Sequence, residues 1–224
     1  MAHPPLGYET DGAQRMPGAA ADAIERLERA LAGLPPDRAG LRLQGIPALS
    51  RLLRAGGPIG AVATGVLGSN ARPVRAILFD KNEAANWALG WHQDRTIAVA
   101  ERIDVAGFGA WTVKQGLLHV EPPFAVLAGM MTLRVHLDPV PASNGPLLIA
   151  PGSHRHGRIA EADIADIVAR CGTMACEADS GDIWLYGTPI LHASEAAAHP
   201  ARRRVLQVDY AAADLPGGLR WRGV

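Results

Sequence analysis

Trp91-His92-Gln93-Asp94 contains a His-x-Asp step. On an extended segment residues i and i+2 point the same way. The His92 imidazole and the Asp94 carboxylate are then presented to one point. A second histidine, His192, follows the strand-like run DIWLYGTPIL. Two histidines and one carboxylate cap one face of an octahedral metal and leave the opposite face open, the ligand set of non-heme Fe(II) oxygenases. Eleven residues after His192 comes Arg203, inside Ala201-Arg202-Arg203-Arg204-Val205. A guanidinium binds a carboxylate through two parallel hydrogen bonds. A 2-oxo acid that chelates iron carries a second carboxylate at its far end, and that charge needs a partner once buried. Strand alternation lets either Arg203 alone, or Arg202 together with Arg204, face inward. His154 and His156 form a rival pair, but no carboxylate stands at short spacing with them. The segment PGSHRHG reads instead as a structural corner.

Three stretches carry a resemblance. FDKNEAANWALGWHQD (79–94), SNGPLLIAPGSHRHG (143–157) and GTPILHAS (187–194) followed by RRRVL (202–206) resemble, in that order, the phytanoyl-CoA dioxygenase family. The likeness runs from about residue 74 to 210. It implies Fe(II), 2-oxoglutarate and O2 as cofactor and co-substrates. It implies a double-stranded β-helix, a jelly-roll barrel preceded by helices. Carried over to this chain, it makes His92, Asp94 and His192 the iron ligands and Arg203 the partner of the 2-oxoglutarate tail. Related halogenases have a small residue in place of the aspartate; Asp94 is present here, which argues against halogenation. The stretch after His192, Ser194-Glu195-Ala196-Ala197-Ala198, departs from the Gly-Pro-Asn-like loop common in the family.

Further residues are candidates for the same site. Thr132, on MMTLRVHLD, and Lys81, at the end of a strand ahead of the metal motif, are candidate 2-oxoglutarate contacts. Arg134 and His136 share a strand face with Thr132 and are candidate substrate contacts if that face points inward. Trp87, Trp91 and Trp111 stand out where aromatics make up 5% of the chain; Trp91 and Trp111 are taken as candidate pocket walls, with core packing the competing role.

The elements that must position these groups are legible in outline. Residues 1–17 read as a loose arm. Residues 19–34 place Ile24, Leu27, Leu31 and Leu34 on one helical face, and Pro35-Pro36 closes that helix. Helices are also expected over 47–55 and 59–67, so 18–70 forms a helical part. From about 71 to 212 short strand-like runs follow, at 74–80, 96–103, 130–138, 146–152, 182–187 and 203–211, with one helix at 161–170. Many short strands bounded by Gly, Pro and Asn indicate a sandwich or barrel. The expected fold is therefore mainly β, a jelly-roll barrel with N-terminal helices, as one oxygenase domain over 1–224. Residues 104–125, with Gly107, Gly109, Gly116 and Pro122-Pro123, read as mobile loops that decide specificity.

Composition bounds the function. The chain has 224 residues, 22 Lys plus Arg against 22 Asp plus Glu, and a formal net charge of zero. That excludes the broad basic field of non-specific nucleic-acid binding. No apolar run reaches the roughly 20 residues that span a bilayer, and the N-terminus lacks a secretory pattern. A cytoplasmic protein with a small-molecule substrate is expected, with no nucleic-acid, membrane or protein partner indicated. Cys171 and Cys176 read as free thiols. Three readings result: a 2-oxoglutarate-dependent hydroxylase, a cupin-type metal barrel without 2-oxoglutarate, or a silent binding protein of the same fold. Arg203 weighs against the second, and the full ligand set against the third.

Overall fold

The computed structural model describes residues 5–35 and 40–224; His3 and Pro36 lie outside them. The N-terminal part contains α1 (Tyr8–Asp11), β1 (Ala13–Met16), α2 (Ile24–Leu31), β2 (Leu41–Leu43), α3 (Pro47–Leu53) and α4 (Gly60–Leu67). Next come β3 (Arg72–Lys81), β4 (Leu89–His92), β5 (Ile97–Ala98), β6 (Gly109–Lys114), β7 (Leu117–Glu121), α5 (Phe124–Ala128) and β8 (Met130–His136). The chain ends with β9 (Leu147–Ile149), α6 (Ile164–Cys171), β10 (Met174–Cys176), β11 (Ile183–Gly187), β12 (His192–Ser194) and β13 (Arg203–Ala211).

Two sheets make the barrel. A six-stranded sheet runs β1-β11-β8-β13-β3-β2, and a four-stranded sheet runs β10-β9-β12-β4. They pack face to face through Trp184 and Tyr186 of β11 against Leu147, Ile149 and Cys176 of β9 and β10. This is the expected jelly roll. The outer face of the large sheet, with Met131, Leu133, Val135, Leu206 and Val208, buries Leu27, Leu49, Leu53 and Ile59 of the helical layer. Each such apolar side chain contributes about 1.5–3 kcal/mol on burial. Helices of seven or eight residues are too short to persist alone, so this packing holds them.

Alternation places the polar residues of the same strands inside. Arg203, Val205, Gln207 and Asp209 of β13 stand opposite Lys81, Phe79, Ile77 and Arg75 of β3. Gln207 and Asp209 also stand opposite Arg134 and Thr132 of β8. The middle arginine of the triplet is therefore the inward one. Arg202 pairs with Asp80 at 3.0 Å, and Arg204 with Asp138 at 2.7 Å.

Several expectations change. The arm is not loose over its described residues. Ala13–Met16 pairs antiparallel with β11 from Ile183 to Tyr186, covering a sheet edge that would otherwise expose unpaired backbone groups. Gly12 permits the approach: it has φ +71°, and a Cβ there would enter the His154 ring. The strand expected over 96–103 shrinks to Ile97–Ala98, with Val99 bridging to Trp221. Residues 104–125 are not simply loops. They contain the β6–β7 hairpin, which with β5 forms a third sheet. His192 starts its own short strand, separated from β11 by a turn at Thr188 to Leu191.

Asp182 fastens the arm. Its Oδ1 accepts from the Gly18 N–H at 2.8 Å, and its Oδ2 from the Asp179 N–H at 2.9 Å and Arg15 Nε at 2.8 Å. Burial pushes this carboxyl up, but the two N–H groups and the guanidinium outweigh it and hold it low. A carboxyl depressed in the folded state adds stability above its unfolded value, near pH 4, and that stability is lost as pH falls. Asp182→Asn is expected to lower unfolding free energy by about 1–3 kcal/mol at pH 7 and to flatten the acid limb below about pH 4, both read by urea titration.

Candidate metal centre and its cavity

β4 and β12 run antiparallel, with His192 directly opposite His92. The ring centroids are 4.3 Å apart. Asp94, two residues beyond His92, completes a cluster whose ligand atoms all lie within 4.8 Å of one another. Each histidine is oriented by its own backbone. His92 Nδ1 lies 2.7 Å from the Gly90 carbonyl and His192 Nδ1 lies 2.9 Å from the Ile190 carbonyl. A carbonyl only accepts, so each Nδ1 carries the proton and each Nε2 keeps its lone pair. Metal-binding histidines are oriented this way. Burial lowers His192 to about 4, with His92 adding to the effect, so it is neutral at pH 7.

Asp94 is prepared as an anion. Burial would raise its carboxyl, but Arg75 and then the two histidines bring it down to about 2. Arg75 donates to Asp94 Oδ2 at 2.9 Å, which leaves Oδ1 for a metal. The donor set therefore fits a divalent ion: two imidazole lone pairs and one carboxylate oxygen on one side. Arg75 donates through Nε to Asp209 as well. Asp209 Oδ1 accepts from the Thr132 hydroxyl at 3.0 Å, and Thr132 lies 3.1 Å from the Thr188 hydroxyl. Thr132 thus bonds to the carboxylate behind Arg75 and does not line the cavity at the triad.

Gln93, between the two ligands, faces the other way and is buried. Its Nε2 donates to the carbonyls of Gly157 at 3.0 Å and Pro189 at 2.8 Å, and its Oε1 accepts from the Ile159 N–H at 2.9 Å. Ser153, in the PGSHRHG corner, accepts from the Leu191 N–H at 2.8 Å. These bonds fix the backbone on both sides of the ligands.

The triad opens into a cavity of about 230 Å³, also lined by Arg75, Phe79, Arg134 and Arg203. Arg203 is 3% exposed. It donates to the carbonyls of Asn144, at 3.4 Å, and Gly145, while its buried Nε has no partner among the described residues. Gly145 is required there: its φ is +58°, and a Cβ would lie 2.8 Å from the Glu195 carbonyl oxygen. Burial, and then Arg134, lower Arg203 to about 10. Arg134 lies over the Phe79 ring, 5.2 Å from its centroid, and donates to Gln207 at 2.8 Å.

Other candidates are placed elsewhere. Lys81 is buried and does not line the cavity. Its Nζ donates to the Glu195 carbonyl at 2.6 Å, and it lies 5.2 Å from the Trp87 ring centroid. Its job is to anchor the chain just past His192, and burial, with Arg203 and Arg134 nearby, lowers it to about 8. Trp91 packs against the cluster of Ile159, Ile167 and Leu191 and borders an outer groove that also reaches His92 and Asp94. Trp111 belongs to the core under the third sheet, with Arg102 over its ring. The tryptophan that walls the cavity is Trp87. His136 faces the barrel interior with both ring nitrogens unpartnered among the described residues, lowered to about 3 by burial and then Arg134, but it does not line the cavity. Arg75, Gln93 and Gln207 were missed by the sequence reading. Alternation from Lys81 back along β3 reaches Arg75, the one signal that pointed to it.

Comparison with known proteins agrees with this architecture. EctD from S. alaskensis, solved with 2-oxoglutarate and 5-hydroxyectoine, aligns with TM-score 0.64 and 20% identity over 92% of this chain and 73% of its own. HygX from Streptomyces hygroscopicus, with nickel and 2-oxoglutarate bound, aligns with TM-score 0.60 and 17% identity over 91% and 83%. The epimerase SnoN, in complex with Fe3+, alpha ketoglutarate and nogalamycin RO, aligns with TM-score 0.64 and 19% identity over 94% and 88%. No curated protein sequence matches the chain. Residues 61–205 match the phytanoyl-CoA dioxygenase (PhyH) profile. That span holds the metal cluster and Arg203, and the chain belongs to the phytanoyl-CoA dioxygenase family, whose members are 2-oxoglutarate-dependent oxygenases.

Proposed function

We propose that this protein hydroxylates an unactivated C–H bond of a small organic molecule, using Fe(II), 2-oxoglutarate and O2 and releasing succinate and CO2. The observation that carries the reading is one cavity lined both by the His92, Asp94 and His192 donors and by the buried Arg203, whose Nε has no partner among the described residues. The three side chains would hold iron through the Nε2 atoms of the histidines and Oδ1 of Asp94. Iron with 2-oxoglutarate and O2 supplies an oxidant strong enough for C–H cleavage. The chain does the rest. Arg75 keeps Asp94 ionised and turned toward the metal. The Gly90 and Ile190 carbonyls keep both imidazoles in the ligating tautomer. Arg203 receives the far carboxylate of 2-oxoglutarate, and Phe79 and Leu147 give the same cavity apolar walls.

The test is an anaerobic titration of apoprotein with Fe(II) and then 2-oxoglutarate, following the visible charge-transfer band. A saturable band is expected in wild type and none in His92→Ala. Arg203→Ala is expected to weaken 2-oxoglutarate on the order of 100-fold, since truncating one member of a buried charge pair costs at least about 2 kcal/mol. Unchanged affinity in Arg203→Ala would move that role to Arg134. Iron binding with no band would return the protein to the cupin-type reading.

A further inference from the structure

The cavity holds more positive charge than the reaction needs. Arg42, Arg75, Lys114, Arg134 and Arg203 line it, and Asp94 is its only acidic lining residue. On the dioxygenase reading, the charges of Fe(II) and of 2-oxoglutarate cancel. Arg75 already faces Asp94 and Asp209. Four cations then stand against a surplus of one carboxylate. Two of them, Arg42 on β2 and Lys114 at the end of β6, form no ion pair among the described residues. Arg42 Nε is buried without a partner among the described residues. Among the described residues Lys114 Nζ reaches only a hydroxyl, that of Thr96 at 3.2 Å.

These two cations are held together by a latch. Gln115 follows Lys114 in the two-residue turn of the β6–β7 hairpin. Its Oε1 accepts from the Arg42 N–H at 3.0 Å, and its Nε2 donates to the Gly40 carbonyl at 2.6 Å. Gln115 has φ +50° and Gly116 φ +77°. Such turns favour asparagine or glycine at the first position, so glutamine is strained there. Its longer side chain is what reaches β2. Burial lowers both Arg42 and Lys114, and Arg75 nearby lowers them further. An anion between them would relieve that cost. Arg42 and Lys114 are half-buried, whereas Arg203 is buried, so they stand at the shallow end. Lys114 also borders an outer groove that reaches His92 and Asp94.

We infer that Arg42 and Lys114 bind an oxoanion carried by the substrate, a carboxylate or a phosphate ester, and that its short apolar body rests on Ile77, Trp87 and Leu89. Calling that ligand the substrate rests on the dioxygenase reading; the anion site itself does not.

The test is calorimetric titration with three probes of equal chain length, hexanoate, hexyl phosphate and neutral hexanamide, on protein with and without Fe(II) and 2-oxoglutarate. At least one anion is expected to bind about ten-fold or more tighter than the amide, as charge-assisted bonds require. Hexanoate against hexyl phosphate identifies the oxoanion. In Arg42→Gln/Lys114→Gln the gap should close to within about three-fold, while 2-oxoglutarate affinity from the charge-transfer band stays within about two-fold. The inference is overturned if the amide matches both anions in wild type, weak or absent binding of all three included. It is also overturned if the variant loses 2-oxoglutarate affinity and keeps the anion preference. Absence of the band in wild type sinks the dioxygenase reading alone, because the metal-free titrations still report the anion site.

Discussion

His92→Ala is expected to abolish iron-dependent turnover, a loss well above 100-fold, while leaving the fold in place. Loss of a group that only orients a metal ligand already costs about 10–100-fold, and this change removes a proposed ligand itself. His92 is half-buried at the end of β4, so truncating it costs under about 1 kcal/mol of stability. His192→Ala should be as inactive but less clean: its ring is 6% exposed, and its centroid lies 6.0 Å from that of Tyr186. A second readout separates lost ligand from lost fold. A metal that binds only the native state stabilises it by about 2.7 kcal/mol at a hundred times its Kd, a rise in Tm of about 5–10 °C for a chain of this size. Fe(II) under anaerobic conditions should raise the wild-type midpoint by that amount and leave His92→Ala unmoved. An equal rise in both would mean that iron sits elsewhere.

How much of this was legible depended on how local each signal was. His92 and Asp94 are two apart on an extended segment, and His192 and Arg203 flank one strap between strands. The four could be read from spacing and from the family resemblance. Alternation left open which arginine of 202–204 turns inward; the register of Arg203 against Lys81 decides it. The Lys81 bond to the Glu195 carbonyl was not legible, because the two lie 114 residues apart and backbone acceptors leave no mark in a sequence. The Thr132 bond to the Asp209 carboxylate spans 77 residues and depends on the register of β8 against β13, which the sequence does not display. The arm was missed as a strand because Ala13-Gln14-Arg15-Met16 has no apolar alternation; an edge strand is held by backbone pairing. The β6–β7 hairpin was hidden by its exposed face and by a Gln-Gly turn in place of Asn-Gly.

Arg75→Met should be the most destabilising single change at the site, about 3–5 kcal/mol by urea unfolding, because it removes one partner of a buried pair and strands the other. Asp209 is 1% exposed and already raised by burial. Without Arg75 its remaining partners are the Thr132 hydroxyl and, at 3.5 Å, the Gln207 amide. The methionine fills most of the volume, so the loss reports charge rather than packing. Adding Asp209→Asn removes the stranded charge, and the double variant should recover about half of the loss. Because the two residues are in contact, non-additivity is the expected signature. Iron affinity should not recover with stability. Asp94 loses its guanidinium in both variants, and with it the interaction that turns Oδ2 away from the metal and holds the carboxyl low. A double variant that regains stability but binds Fe(II) about 10–100-fold more weakly would establish that Arg75 serves the ligand as well as the fold. Full recovery of both would reduce Arg75 to a counter-ion for Asp209.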